Sequence, residues 1–357
     1  MQSMDMFEIL LYSEAGAGEV FSTHPLEIPG LEGERPLTLY LPPDYLLNPE
    51  KTYSVAYFFD GQNLYEGQAS GPPGWNLHSI LDQRYAEGLE VPIAVGIHHG
   101  LNRDEELCPW PAEKGQTPRG DALLQWLVEE LHPQLVEQLQ IDDRPEMRLV
   151  GGSSLGGLLA LYAGFSYSDF FGKVMAMSPS LWVGNGAIYD YIAEAAFLHN
   201  LDFLKLYIDC GALEDDDDPD TWSEEYWEES EDEDEATEDD EDETEGQDKA
   251  DETTPTQTKS AATVSAAHEA ASDQDDDQDD DQDNEDQEDD EQEDEPEEEW
   301  DTDPLEDAEY LIEILEAKGF EDGEHFLWVP DPEGEHNEWH WSKRLPLALA
   351  WLFEDDA

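Results

Sequence analysis

One short segment of the sequence places a serine in a setting that is typical of a nucleophile. Residues 149–160 read Leu-Val-Gly-Gly-Ser-Ser-Leu-Gly-Gly-Leu-Leu-Ala, and they contain the pattern Gly-x-Ser-x-Gly with Ser154 at its centre. An apolar stretch that predicts a strand precedes the pattern, and a stretch that predicts a helix follows it, which is the context of a sharp turn that exposes a reactive hydroxyl. The helix N-terminus favours developing negative charge there. Ser153 competes for the role, but only Ser154 has a glycine two residues before it and two residues after it.

A serine nucleophile needs a base, and the base needs an acid that orients it. In folds that carry this turn, the order along the chain is serine, acid, histidine. His336 lies in the loop after the last predicted strand, where such a fold places its base. The acid is expected at the end of the preceding predicted strand, where Glu214 is the first choice and Asp215 and Asp209 are the alternatives.

The negative charge of an acyl-transfer intermediate is usually stabilised by two backbone N–H groups. One candidate is the amide of Leu155, directly after the nucleophile. The other is the amide of Gln62, in the loop Asp60-Gly-Gln-Asn63 after an earlier predicted strand. Gly61 permits a close approach of the backbone at this point.

His336 and His340 are a candidate metal-binding pair, because two histidines four residues apart on a helix can bind one metal ion. The zinc motif of this spacing needs a glutamate directly after the first histidine, and the sequence has Asn337 there. We therefore expect no metal and no cofactor.

The elements that must position these residues alternate along the chain. Predicted strands lie at 19–23, 37–41, 53–59, 93–97, 147–150, 174–177, 204–208 and 326–329, and predicted helices at 121–139, 158–165, 304–318 and 341–353. The first two strands have no helix between them and predict an antiparallel edge. The remainder predicts an α/β fold with a mostly parallel central sheet and helices on both faces.

An extremely acidic segment interrupts this alternation. The chain has 357 residues and a net charge of −78, and 47 of its 93 acidic residues fall between residues 215 and 303, together with only two lysines. Such composition does not bury enough apolar surface to offset the entropy of ordering. The sequence thus predicts a first domain part at 1–214, a long disordered insert at 215–303 after the seventh strand, and a C-terminal domain part at 304–357.

The composition also bears on partners and compartment. A strongly negative surface argues against nucleic acid and anionic membranes as partners. Two cysteines, Cys108 and Cys210, imply no disulfide framework and favour a reducing cytoplasm. We find neither a signal peptide nor an apolar run of about 18 residues. Oligomeric state stays open.

Together these segments resemble the esterase D or enterochelin-esterase-like branch of the α/β-hydrolases. The similarity runs from about residue 36 to 353, excluding the acidic segment, through the pieces 39–45, 57–63, 95–97, 151–157, 177–182, 206–211 with Glu214, and 335–338 with Trp341. It implies Ser154 as nucleophile, His336 as base, Glu214 as acid and the Leu155 and Gln62 amides as oxyanion donors. It also places Arg103 and Glu106 where relatives often have an internal ion pair.

The expected function is a cytoplasmic serine esterase that cleaves a small-molecule carboxylic ester or thioester through an acyl-enzyme intermediate. Tyr65, Trp75, Trp110 and Trp182 lie on loops that can line its pocket, although at least half of them are expected to be packing residues. The alternative is a catalytically idle hydrolase scaffold that acts through its acidic insert as an interaction or cation-binding protein.

Overall fold

The computed structural model describes residues 6–65, 74–195, 204–214 and 303–353. The strands in these ranges are β1 Ile9–Ser13, β2 Glu19–Ser22, β3 Leu26–Glu27, β4 Glu34–Arg35, β5 Leu37–Leu41, β6 Val55–Phe59, β7 Ile93–Ile97, β8 Arg148–Ser154, β9 Lys173–Pro179, β10 Lys205–Gly211 and β11 Phe326–Asp331. The helices are α1 Leu77–Ala86, α2 Arg103–Glu106, α3 Gly120–Trp126, α4 His132–Gln138, α5 Leu155–Ser166, α6 Val183–Glu194, α7 Pro304–Ala317 and α8 Glu338–Phe353. A π-helical turn at Leu127–Leu131 joins α3 to α4, and short 3-10 turns lie at Gly61–Asn63 and Pro145–Met147.

Nine of these strands form one sheet in the order β1-β2-β5-β7-β6-β8-β9-β10-β11, while β3 and β4 pair separately. The pairings from β7 through β6, β8, β9 and β10 to β11 are parallel, and those among β1, β2, β5 and β7 are antiparallel. The predicted mostly parallel sheet with an antiparallel edge is therefore confirmed. In such a sheet the functional residues gather at the carboxyl ends of the parallel strands.

The core explains why the central strands are apolar on both faces. Alternate side chains of β6 enter two different apolar clusters: Val55, Tyr57 and Phe59 enter one, and Ala56 and Phe58 enter the other. The first cluster also takes residues from α3 to α7, and the second takes residues from α1 and α8. Because both faces are covered, each strand is a nearly continuous apolar run rather than an alternating one.

Two details of the sequence prediction were wrong. The chain begins the sheet with β1, which the sequence prediction omitted, so the strand before the acidic segment is the eighth of the main sheet and not the seventh. Asp303 does not belong to the insert, because its carboxylate accepts hydrogen bonds from the amides of Leu305 and Glu306 and so caps α7.

The rest of the predicted insert, residues 215–302, lies outside the described residues, and its disorder stays a prediction. None of the helices that the structure describes is long and apolar enough to cross a membrane.

Candidate active site

Ser154 occupies a strained turn between β8 and α5. Its backbone has φ 56° and ψ −125°, a conformation that non-glycine residues rarely adopt. Glycines allow the turn, because a Cβ on Gly152 would lie 2.7 Å from the carbonyl carbon of Gly156. Ser153, the competing serine, is buried within the strand, whereas Ser154 is partly exposed at its end. The turn therefore presents one hydroxyl to solvent at the carboxyl edge of the sheet.

The neighbouring strand contacts this serine. Ser154 lies opposite Pro179 in the register of β8 and β9, and its carbonyl oxygen accepts a hydrogen bond from the Ser180 amide at 3.1 Å. The two hydroxyl oxygens of Ser154 and Ser180 are 3.2 Å apart. Since α5 starts at Leu155, the Ser154 hydroxyl also lies at the N-terminus of a helix, where the first amides have no partner within the helix.

The predicted base and the first-choice acid are in direct contact. Nδ1 of His336 lies 3.0 Å from Oε2 of Glu214, although 122 positions separate the two residues in the chain. The Glu214 side chain is buried and that of His336 is partly exposed. The imidazole ring packs edge-on against Trp341 with centroids 5.0 Å apart. With Nδ1 donating to the carboxylate, Nε2 carries the lone pair that a general base uses.

Glu214 is held as an anion by several donors. Its Oε1 accepts hydrogen bonds from the Ser178 hydroxyl and from the Gly211 amide, the latter at 2.6 Å. Burial on its own would raise the pKa of this carboxyl, but the hydrogen bonds and the nearby His336 outweigh burial and lower it below its usual value. The described geometry thus gives Glu214, and not Asp209, the contact with the histidine.

Asp209 has a different environment in the middle of β10. Its Oδ1 accepts a hydrogen bond from the Ser178 amide at 3.0 Å, and burial raises the pKa of its carboxyl to about 6. The third candidate, Asp215, lies outside the described residues.

Ser178 connects these groups in a way that the sequence did not suggest. Its hydroxyl donates to Glu214 and accepts from Nε1 of Trp341 at 2.9 Å and from Nη2 of Arg344 at 2.8 Å. The backbone of Ser178 has a positive φ of 41°. The sequence held one signal for this network. Arg344 lies three residues after Trp341 on the apolar face of α8, where an arginine is rarely buried unless it is paired.

The loop that carries Gln62 is braced from two sides. Arg103 donates to both carboxylate oxygens of Asp60, at 2.9 and 2.7 Å. Asn63 donates to Oε1 of Glu338 at 3.0 Å, so the Gln62 loop is tied to the start of α8, two residues after the histidine. Burial raises the pKa of Glu338, and the negative charge of Asp60 adds to this rise.

The ion pair implied at Arg103 and Glu106 does not form between these two residues. Arg103 pairs with Asp60, and the buried Glu106 pairs with Arg35 of β4. Both pairs join loops at this edge of the sheet to neighbouring elements, because a buried carboxylate needs a cation within contact distance.

The four loop aromatics separate into packing residues and one exposed residue. Trp75 is fully buried, the Tyr65 hydroxyl is buried, and Trp110 packs against Tyr162 and Tyr191. Trp182 has 45% of its surface exposed and follows Ser180 in the chain. It is the most exposed of the four, while Tyr65 and Trp110 are partly exposed.

The asparagine after the histidine has a structural role. Oδ1 of Asn337 accepts a hydrogen bond from the His340 amide, which caps the N-terminus of α8. In the part of the chain that the structure describes, no group of three histidine, cysteine or acidic side chains is arranged to hold a metal ion.

Taken together, the structure brings His336 and Glu214 into contact and places Ser154 on the same sheet edge, one strand from Ser178. Among the described residues, the Ser154 hydroxyl pairs with Ser180 and makes no hydrogen bond to His336. Such bonds are often long in unliganded enzymes and tighten when substrate binds.

Comparison with known proteins finds a matching family model and two curated relatives. The model of the Esterase family, described as "Putative esterase", matches residues 28–352. The chain is 30% identical over 161 residues to the uncharacterized protein YbbA of Bacillus subtilis strain 168, which covers 43% of this chain and 60% of that protein. It is 42% identical over 62 residues to the iron(III) enterobactin esterase of Dickeya dadantii strain 3937, 17% of this chain and 14% of that protein. The matches thus span less than two thirds of either relative.

A solved structure of a ferulic acid esterase has a similar fold. Its TM-score is 0.55 at 15% identity, with 95% of this chain and 98% of that chain covered.

Proposed function

This chain belongs to the Esterase family, and from that premise we propose that it is a serine hydrolase that cleaves carboxylic esters or thioesters through an acyl-enzyme intermediate. The observation that carries the proposal is the 3.0 Å contact between His336 and Glu214 at the sheet edge where Ser154 is presented on a strained turn. Unrelated packing histidines have no reason to meet a buried, ionised carboxylate beside such a turn.

In the proposed reaction Ser154 attacks the carbonyl carbon of the ester while Nε2 of His336 takes the proton from its hydroxyl. Glu214 orients the imidazole and stabilises the imidazolium that forms. The amides of Leu155 and Gln62 donate to the oxyanion. His336 then gives its proton to the leaving alcohol or thiol, and a water activated by the same imidazole releases the acid and restores Ser154.

The proposed substrate is a small-molecule ester. The names of two similar proteins, an iron(III) enterobactin esterase and a ferulic acid esterase, favour a small-molecule ester, and the exposed indole of Trp182 offers a surface on which an aromatic group of such an ester can pack. The strongly negative chain favours neutral or cationic substrates over anionic ones at low salt. A cytoplasmic location is part of the proposal, since both cysteines are buried free thiols.

Hydrolysis of p-nitrophenyl acetate and p-nitrophenyl butyrate by the full-length chain tests the proposal. We expect turnover in the unaltered protein, loss of at least three orders of magnitude in Ser154→Ala, and retained turnover in the matched control Ser153→Ala. Equal and negligible turnover in the unaltered protein and in Ser154→Ala would favour the idle scaffold instead. Loss in Ser153→Ala with retention in Ser154→Ala would show that the nucleophile was assigned to the wrong serine.

A further inference from the structure

Behind the His336–Glu214 pair, one guanidinium faces two buried carboxylates. Nη2 of Arg344 lies 3.6 Å from Oε1 of Glu214, and its Nε lies 3.4 Å from Oδ2 of Asp209. The side chains of all three residues are at most 5% exposed. A third carboxylate, that of the partly exposed Asp331, is 3.8 Å from Nη1.

The two buried carboxylates also share one residue as hydrogen-bond donor. The amide of Ser178 donates to Asp209, while its hydroxyl donates to Glu214 and accepts from Arg344. Ser178 therefore bonds to both acids and holds them close together. Two such buried carboxylates repel each other unless a cation lies between them.

We propose that Arg344 is a positioning residue for catalysis, which keeps Glu214 directed at His336 by offsetting the charge of Asp209. The proposal rests on the proposed function, because it gives Arg344 a role in the reaction only through Glu214. Nothing in it requires Arg344 to touch the substrate.

The charges of the cluster fit the proposed reaction. At rest, Asp209, Glu214 and Arg344 together carry one net negative charge next to a neutral imidazole. When His336 takes the proton from Ser154, the buried group becomes neutral as a whole. Without Arg344 the two acids would repel each other with no cation between them, and Glu214 would shift away from His336. A displaced Glu214 would no longer orient the imidazole or stabilise the imidazolium.

The decisive experiment compares Arg344→Gln with the double variant Arg344→Gln, Asp209→Asn in the full-length chain, on p-nitrophenyl butyrate. We expect Arg344→Gln to lower kcat by roughly 10- to 100-fold with KM within about twofold, because Glu214 is misplaced while the substrate site is intact. Removing the competing charge of Asp209 should then restore kcat at least fivefold. The exposed Arg144 supplies the matched control, and Arg144→Gln should stay within twofold of the unaltered protein.

Rescue by a second substitution separates this role from simple support of the fold. If Arg344 only stabilised the structure, removing a second member of the network would lower activity further or leave it low, and that result would overturn the proposal. Unchanged kcat in Arg344→Gln would overturn it as well. Should Arg344→Gln fail to fold, Arg344→Lys provides the comparison. This variant keeps the positive charge, so its kcat should be higher than that of the neutral double variant.

Measuring Ser154→Ala alongside distinguishes failure of the proposed function from failure of the role of Arg344. If that variant is inactive and Arg344→Gln retains full kcat, the proposed function stands and the role of Arg344 is refuted. If Ser154→Ala retains turnover, the proposed function fails and the role of Arg344 fails with it.

Discussion

Replacing Glu214 by glutamine tests the assignment of the acid, which the sequence left open among three residues. Glutamine keeps the shape of glutamate, and its carbonyl oxygen can still accept the hydrogen bonds that Ser178 and Gly211 donate to Oε1. Only the position that faces His336 changes, because an amide N–H2 now meets Nδ1 in place of a carboxylate oxygen 3.0 Å away. That amide donates to Nδ1 and so moves the imidazole proton to Nε2.

The expected effect is large and falls on kcat. With its proton on Nε2, His336 has no lone pair to accept the proton of Ser154, and the imidazolium loses its counter-charge. Loss of a triad carboxylate typically lowers kcat by about 10⁴-fold, and a fall of 10³- to 10⁴-fold corresponds to about 4 to 5 kcal/mol in the activation barrier. KM should change by less than about threefold, since Glu214 is buried behind the histidine and does not face the substrate.

Steady-state hydrolysis of p-nitrophenyl butyrate measures both constants, and circular dichroism with urea unfolding verifies that the variant is folded. Glu333→Gln is the matched control, because Glu333 is an exposed glutamate on the loop that also carries His336. It should keep kcat within twofold. A folded Glu214→Gln variant with kcat within threefold of the unaltered protein would refute the assignment of Glu214 and would return Asp215 to consideration.

Two further predictions concern the turn and the buried acid. Gly152→Ala places a methyl group 2.7 Å from the Gly156 carbonyl carbon. We therefore expect a loss of about 1 to 3 kcal/mol in the free energy of unfolding and at least a 100-fold loss of kcat. A urea midpoint and a kcat like those of the unaltered protein would contradict this expectation. Burial raises the native-state pKa of Asp209 to about 6, above the value of about 3.9 in the unfolded chain. Between these two pH values the native state binds a proton that the unfolded chain does not, so the free energy of unfolding rises as the pH falls. Relative to Asp209→Asn, the unaltered protein should therefore gain about 2 kcal/mol between pH 8 and pH 4.5, whereas a difference between the two unfolding free energies that does not vary with pH would contradict the buried charge.

The sequence predicted well wherever a local pattern determines the structure. The glycines around Ser154 have one physical use, a turn without room for Cβ atoms, so the motif located the nucleophile turn between strand and helix. The parallel strands are apolar on both faces, and their alternation with helices along the chain predicted an α/β fold with a mostly parallel sheet, which the structure confirms. The α/β-hydrolase fold was implied by the resemblance of the motifs to known esterases, and the similar fold of a solved ferulic acid esterase supports it. His336 followed from its place after the last strand.

Choices among residues of the same type depended on tertiary contacts that no local pattern encodes. Glu214, Asp209 and Asp215 all lie at or near the end of one predicted strand. Glu214 meets His336 because the loop after β10 bonds to the loop after β11, where the Leu213 amide donates to the Gly334 carbonyl at 3.0 Å. The same reason applies to Arg103, whose carboxylate partner is Asp60, 43 positions earlier, and not the neighbouring Glu106.

The buried network was missed for a related reason. Ser178 and Arg344 belong to segments that are 166 positions apart, and neither carries a motif of its own. Strand β1 was missed although four of its five residues are apolar or aromatic, because a short apolar run without alternation does not by itself distinguish a strand from other structures.

Covalent labelling of the nucleophile tests the central claim most directly. The full-length protein is treated with a fluorophosphonate, digested and mapped by mass spectrometry, with His336→Ala and Ser154→Ala treated in parallel. The account predicts a single adduct on Ser154, labelling slowed by at least 100-fold in His336→Ala, and no adduct in Ser154→Ala. An adduct on a different residue, or labelling of Ser154 that is equally fast without the imidazole, would contradict it.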